Sequence, residues 1–150
     1  MAGQTWSIYL SGEIHSDWRE QIADGAKAAK LPVEFLSAIT DHQASDTVGA
    51  RILGPEADTF WYDHKAAGIN AIRIRNLLDS ADLVVVRFGD KYKQWNAAFE
   101  AGYAVAIGTP IITLHDGGLN HALKDIDAAA QAVAETPEQV VQILAYVTQD

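Results

Sequence analysis

At 150 residues, with 49% hydrophobic content, the chain is sized for one globular domain spanning residues 1–150. A net charge of −9 argues against a nucleic-acid polymer as partner, and the absence of cysteine excludes disulfides, thiolate metal sites and thiol nucleophiles. No apolar run approaches the ~20 residues of a bilayer span, and residues 1–6 lack the basic and apolar regions of a signal peptide, so a soluble cytoplasmic protein is expected, with no membrane partner.

Residues 7–10 (Ser-Ile-Tyr-Leu) read as a first strand. A helix is expected from Ser16 or Asp17, where Asp17 with Glu20 three residues on has the form of a capping box, and Trp18, Ile22, Ala26 and Ala29 recur at helical spacing. Residues 32–35 form a short second strand. Residues 37–65 are polar and weakly periodic, and read as a long loop, with room for a short helix near 47–52. Ile69, Ile72, Ile74, Leu77 and Leu78 mark the next helix. The third strand, residues 83–88, ends at Gly89-Asp90, and a polar loop leads into a small-residue helix over 97–107. Residues 110–114 give a fourth strand, 119–126 a short helix and 130–134 a fifth strand. Thr136, Pro137 and Gln139 then start the last helix as N-cap, N1 and N3.

This alternation predicts an α/β fold: a flavodoxin-like (Rossmann-like) five-stranded parallel sheet in the order 2-1-3-4-5, with helices on both faces. Ligands of such sheets bind outside the carboxyl ends of the strands at the topological switch point. Residues 11–17 and 89–100 are therefore expected to meet above the first and third strands.

Those two segments hold the candidate site residues. Asn96, Glu100 and Tyr103 share one helix face, and the small Ala97, Ala98, Ala101 and Gly102 let that helix pack closely, so Glu100 is expected to be partly buried. Gly12 permits close approach of a ligand to the backbone. Glu13 is expected to share a side with His15, which can act as acid or base near neutral pH. Asp17 either borders an anion site at the helix N-terminus or simply caps the helix. Gly89 and Asp90 lie at the same crevice. Arg87, in an apolar strand, needs a partner or an exposed end, while Lys91 and Lys93 can reach solvent. Tyr92 and Trp95 can stack on a base or sugar, or pack at a subunit contact. Asp41-His42 and Asp63-His64 match no local metal-ligand spacing, and no metal or cofactor is expected. Gly117-Gly118 after Asp116 reads as an anion nest or a plain turn.

The run Glu100-Ala101-Gly102-Tyr103-Ala104, followed by Gly108 and Pro110, resembles the nucleoside 2-deoxyribosyltransferase superfamily, whose catalytic glutamate opens a similar run. Tyr9-Leu10-Ser11-Gly12-Glu13-Ile14-His15-Ser16-Asp17-Trp18-Arg19 and Arg87-Phe88-Gly89-Asp90-Lys91-Tyr92-Lys93-Gln94-Trp95-Asn96 resemble one branch of it, the YtoQ family, and this second resemblance covers nearly the full chain. The superfamily resemblance implies Glu100 as a nucleophile on the anomeric carbon of a nucleoside or nucleotide, giving hydrolysis or base exchange through a covalent glycosyl-enzyme. Trp18, Trp61, Tyr62 and Trp95, aromatics near polar loops, point to a homo-oligomer, taken as a dimer. The transferases carry an acid six residues before the nucleophile that helps hold the nucleoside; this chain has Gln94 there. Two other classes share the plan: a non-catalytic small-molecule binding module, and a Toll/interleukin-receptor-like interaction domain, which the long polar middle segment and Trp18-Arg19 do not suggest.

Overall fold

The computed structural model describes residues 3–150; the first two residues of the N-terminal stretch read above lie outside that range. Five parallel strands form one sheet in the order β2-β1-β3-β4-β5, as the alternation predicts. They are β1 (Trp6–Gly12), β2 (Val33–Ser37), β3 (Leu83–Arg87), β4 (Ile111–Leu114) and β5 (Ala132–Ala134). The helices are α1 (Trp18–Ala28), α2 (His42–Leu53), α3 (Thr59–Ser80), α4 (Trp95–Ala106), α5 (Lys124–Ala129) and α6 (Pro137–Val147), with a 3₁₀ turn at Gly117–Leu119.

Successive residues of a strand point to opposite faces, and both faces of this sheet are covered. Ile8, Leu10, Leu83, Val85, Ile112 and Leu114 pack with Trp18, Ile22, Val140 and Leu144, so α1 and α6 cover one side. Tyr9, Val84, Val86 and Ile111 pack with Leu78, Ala97, Ala101, Ala104 and Leu123, so α3, α4 and the segment leading into α5 cover the other. Thr136 starts α6 as its sequence announces: its hydroxyl accepts from the Gln139 N–H at 3.2 Å and the Gln139 side chain accepts in return from the Thr136 N–H at 3.3 Å.

Two local expectations are corrected. Residues 37–65 are not a long loop. They carry α2 and the first turns of α3, each started by an aspartate: Asp41 accepts from the Ala44 N–H at 3.1 Å and Asp58 from the Trp61 N–H at 3.2 Å. Weak periodicity hid them because α2 packs almost wholly on α3 and buries only Gly49. A Cβ at Gly49 would sit 2.4 Å from the Ala66 nitrogen, so the two helices meet backbone to backbone, and Asn70 adds bonds to the Ser45 carbonyl (3.1 Å) and hydroxyl (3.2 Å). The second correction is Asp17. It flanks α1 but makes no side-chain cap, because its carboxylate instead accepts from the Gln21 side chain at 2.7 Å.

Candidate active site

The site begins where β1 and β3 end side by side. Ser11 lies opposite Val86 and Gly12 opposite Arg87, and the Glu13 N–H continues the ladder to the Arg87 carbonyl at 3.1 Å. Gly12 has φ of 120°, and a Cβ there would fall 2.0 Å from that carbonyl oxygen, so no other residue fits this crossing. A Cβ at Gly89 would stand 2.8 Å from Glu13 Cγ. The segments after the two strands therefore meet as the sheet order requires.

The β1–α1 connection is tied down from both sides. The Glu13 carbonyl accepts from Trp18 Nε1 and from Arg19 Nη1, each at 2.6 Å. Arg19 Nη2 reaches the carbonyls of Leu10 (3.3 Å) and Gly12 (3.2 Å), and the guanidinium lies 4.5 Å from the Trp18 ring. The Glu13 side chain folds back onto its own loop, accepting from Ser16 Oγ at 2.5 Å and from the His15 N–H. Burial works to raise the Glu13 pKa, but the Ser16 and His15 donors and the Arg87 charge outweigh it and hold this carboxyl below the ordinary value.

Glu100 is 8% exposed. The alternation of β1 sends Tyr9 and Ser11 to the α4 face, and the small buried residues Ala97, Ala101 and Ala104 bring α4 close enough for both to reach the carboxylate. Ser11 Oγ donates to Oε2, and the Tyr9 hydroxyl lies 3.4 Å from Oε1. Burial pushes the Glu100 carboxyl above its ordinary pKa; the Ser11 and Tyr9 donors and the Arg19 charge oppose that without cancelling it. Burial and then the neighbouring Glu100 charge push the Tyr9 phenol up as well, so it remains a proton donor at physiological pH.

Above this floor opens a cleft of about 1070 Å³. Asp63, Ala66, Asn70 and Ile74 of α3 form one wall; Trp95, Asn96, Phe99 and Tyr103 of α4 form the other. His15, His42 and Tyr92 meet at the mouth, with the His15 ring 5.7 Å from His42 and 4.7 Å from Tyr92. Trp95 and Phe99 are 72% and 63% exposed, with the Lys93 ammonium 5.4 Å from the Trp95 ring, so this wall presents a broad aromatic surface with a cation over part of it. Tyr103 joins the walls by donating to Asp79 of α3 at 2.6 Å.

Among the residues singled out in the sequence, Gly12, Glu13, His15, Trp95, Asn96 and Glu100 line the cleft. Asp17, Arg87 and Asp90 do not. Arg87 finds its partners in the Phe88 (2.9 Å) and Leu114 (3.4 Å) carbonyls, and Gly89 shapes the floor by packing on Glu13. Gln94 closes the loop before α4: its side-chain oxygen accepts from the Gly89 N–H at 3.0 Å. The Gly117-Gly118 turn offers no nest, because Asp116 itself takes the Gly118 N–H at 2.8 Å. Sequence reasoning placed Ser11 in the converging segment without a role and missed Tyr9 and Arg19; the signal was present in the period-two alternation that puts Tyr9 and Ser11 on the face Glu100 occupies. His42 and Asp63 reach the cleft, whereas His64 packs with Phe60 and Trp61 at ring distances of 5.9 and 5.4 Å.

The family model described as "Nucleoside 2-deoxyribosyltransferase YtoQ" matches residues 9–148. The chain belongs to the YtoQ family. Its similarity to the uncharacterized protein YtoQ of Bacillus subtilis (strain 168) is 42% identity over 139 residues, 93% of this chain and 94% of that protein. Among solved structures it is similar to a conserved protein from Enterococcus faecalis V583, with a TM-score of 0.61 and 17% identity over 97% of this chain and 99% of that one. It is also similar to a 2-deoxyribosyltransferase from Bacillus psychrosaccharolyticus, with a TM-score of 0.52 and 18% identity over 90% of each chain. At those identities the two structures show the shared fold, and the YtoQ assignment rests on the family match and the Bacillus relative. Among the described residues no helix is long and apolar enough to cross a membrane.

Proposed function

We propose that this YtoQ-family protein cleaves the N-glycosidic bond of a nucleoside, a nucleotide or a related ribosylated small molecule, with Glu100 as nucleophile. The observation that carries this reading is a buried carboxylate at the floor of an aromatic-walled cleft, held by donors to one oxygen more tightly than to the other. The family description, which names nucleoside deoxyribosyl transfer, supports the same chemistry.

Ser11 engages Oε2 closely, while Oε1 has only the long contact to Tyr9, so Oε1 is the freer oxygen to attack. As the carbon–nitrogen bond breaks, its electron pair leaves with the base, and Oε1 bonds to the anomeric carbon. Positive charge develops on the sugar beside the carboxylate, where an anion stabilises it. His15, at the mouth of the cleft, delivers the proton the departing base needs. Water or a second base then attacks the same carbon, giving its proton to His15, and the carbon–Oε1 bond breaks with its electron pair returning to the Glu100 carboxylate. Glu13 serves this site by holding the loop that carries His15, since its carboxylate is already engaged there. The reading carries with it a cytoplasmic location and a homodimer that covers the exposed aromatics, which light scattering tests by showing more than a monomer.

The test is a panel of nucleosides and nucleotides, screened by thermal shift and then by product chromatography with and without a free base. Glu100→Ala is expected to lower turnover on the order of 10⁴-fold or more, with the fold intact by circular dichroism. A 2-fluoro sugar analogue should leave a mass adduct on the peptide containing Glu100. An activity that survives Glu100→Ala refutes the assignment. A second reading, a binding module on the same fold, draws on Gln94: it stands where the transferases carry an acid, and its side chain is committed to the Gly89 N–H. Ligand binding without turnover across the panel would favour that reading.

A further inference from the structure

Asn70 ties α3 to α2, and the same bonds fix which end of its amide is free. Its Nδ2 donates to two backbone carbonyls, Ser45 at 3.1 Å and Ala66 at 3.0 Å, and lies 3.2 Å from the Ser45 hydroxyl. Carbonyls only accept, so the nitrogen is the end turned toward them; a flipped amide would set its oxygen against both. Oδ1 is left at the other end. It takes no hydrogen bond among the described residues, yet it is open to solvent, since the buried side-chain polar atom without a partner there is Arg19 Nε. Asn70 lines the cleft, and the other lining residues between positions 66 and 74 of α3 are Ala66, Ala67, Ala71 and Ile74. Asn70 is thus the single polar side chain in that stretch of wall. An apolar wall with one oriented polar group sets how a ligand lies, because a donor finds a partner at one point only.

We propose that Asn70 is a specificity-determining residue: its Oδ1 is a fixed acceptor that selects ligands whose flat ring carries an N–H donor, as an amino group or a ring N–H. That the ring is the base of a nucleoside rests on the glycosidic reading above. A sugar seated over Glu100 sends its base up between the walls of α3 and α4, past Asn70 on one side and Trp95 and Phe99 on the other. An asparagine without ties turns its amide over and serves donors and acceptors alike. This one is held by its nitrogen, so it rewards a donor and offers nothing to an acceptor. Gly49 seats α2 against Lys65 and Ala66, one helical turn before Asn70, so the acceptor is set in place by helix packing before any ligand arrives.

The test compares ligands that differ in one donor: 2′-deoxyadenosine with purine 2′-deoxyriboside, which lacks the amino group, and thymidine with 3-methylthymidine, whose ring N–H is masked. Affinities are read by titration calorimetry on the whole protein. The parent is expected to bind the donor-bearing member of at least one pair roughly 10-fold more tightly. Asn70→Ala should bring that ratio close to one by weakening the donor-bearing member alone. Because Asn70→Ala also removes a tie to α2, Asp41→Ala serves as control: it loosens the start of α2 with the amide in place and should keep the ratio. A readout in the parent needs no variant: the carbon-13 signal of the Asn70 side-chain carbonyl should move with the donor-bearing ligand and stay with its masked counterpart. A ratio close to one in both pairs, a folded Asn70→Ala that keeps the parent's ratio, or an unmoved carbonyl signal at saturation overturns the proposal and leaves the glycosidic reading standing. Absence of binding by all four ligands overturns the proposal; if the wider panel of nucleosides and nucleotides also fails to bind, the glycosidic reading falls with it. A donor preference abolished by Asn70→Ala, in a protein that turns nothing over, keeps the selection and removes the glycosidic reading.

Discussion

The two sides of the cleft are built on opposite principles. The corner where β1 and β3 end is saturated with short-range constraints: Gly12, which admits no side chain against the Arg87 carbonyl, Gly89 packed on the Glu13 side chain, three carbonyls gathered by Arg19, and an indole hydrogen bond to Glu13. The arm formed by α2 and the first turns of α3 is held mostly by itself, through Gly49 against Ala66 and Asn70 against Ser45, with Arg73 reaching the Ser37 carbonyl at 2.9 Å. Phe60 and Trp61 remain 65% and 52% exposed on it. In the proposed reaction the carboxylate must not wander, and the Ser11 and Tyr9 side chains of β1 hold Glu100 in place. A surface that admits and releases a ligand gains from looser attachment, and under the proposed function the arm is the side of the cleft built that way.

His15 sits between the two regions, its N–H on Glu13 and its ring against His42 and Tyr92. His15→Ala is expected to cost ~10²–10⁴-fold in turnover if it is the proton donor, measured against the same substrate that reports Glu100→Ala. A smaller loss, matched by His42→Ala, would assign the ring to the mouth rather than to the chemistry and would blur the contrast. Gly12→Ala attacks the corner itself, and it is expected to destabilise the whole protein by about 3 kcal/mol in denaturant unfolding, because the chain must move away from the Arg87 carbonyl.

Glu100→Gln sharpens the contrast in the other direction. The carboxyl is raised in the folded protein, so it favours folding most when protonated, at low pH, and that favour is lost as pH rises through its folded pKa. The amide variant is therefore expected to be more stable than the parent at neutral pH by a few degrees in Tm, with the gain vanishing below the ordinary carboxyl value. A neutral-pH Tm equal to the parent's would mean that the corner carries no electrostatic strain. The smallest effect belongs to the arm. Asp41→Ala removes the α2 cap and should cost ~1 kcal/mol, seen as faster hydrogen exchange confined to α2 with the sheet unchanged. Exchange that quickens across the sheet as well would show that arm and corner unfold together.

The same division governs what the sequence discloses. Sheet order, the convergence of residues 11–17 with 89–100, and the burial of Glu100 are all legible, because alternation and small-residue patterning report packing against a sheet. The arm is not legible by periodicity, since a helix that packs on one neighbour through a glycine needs no apolar stripe; its two aspartate caps were the available signals. Asp17 misled for a related reason: residue type and spacing fit a cap, but Gln21 one turn on takes the carboxylate. Tyr9, Ser11 and Arg19 look structural in one dimension, and their bearing on Glu100 appears only when strand and helix are brought face to face.

The contact at Gly49 has a mechanical reach beyond its own helix pair. With no space for a side chain against Lys65 and Ala66, any larger residue at position 49 would push α2 away from α3. The part of the cleft mouth that carries His42 and the wall that carries Asp63 are thus built as one packed unit.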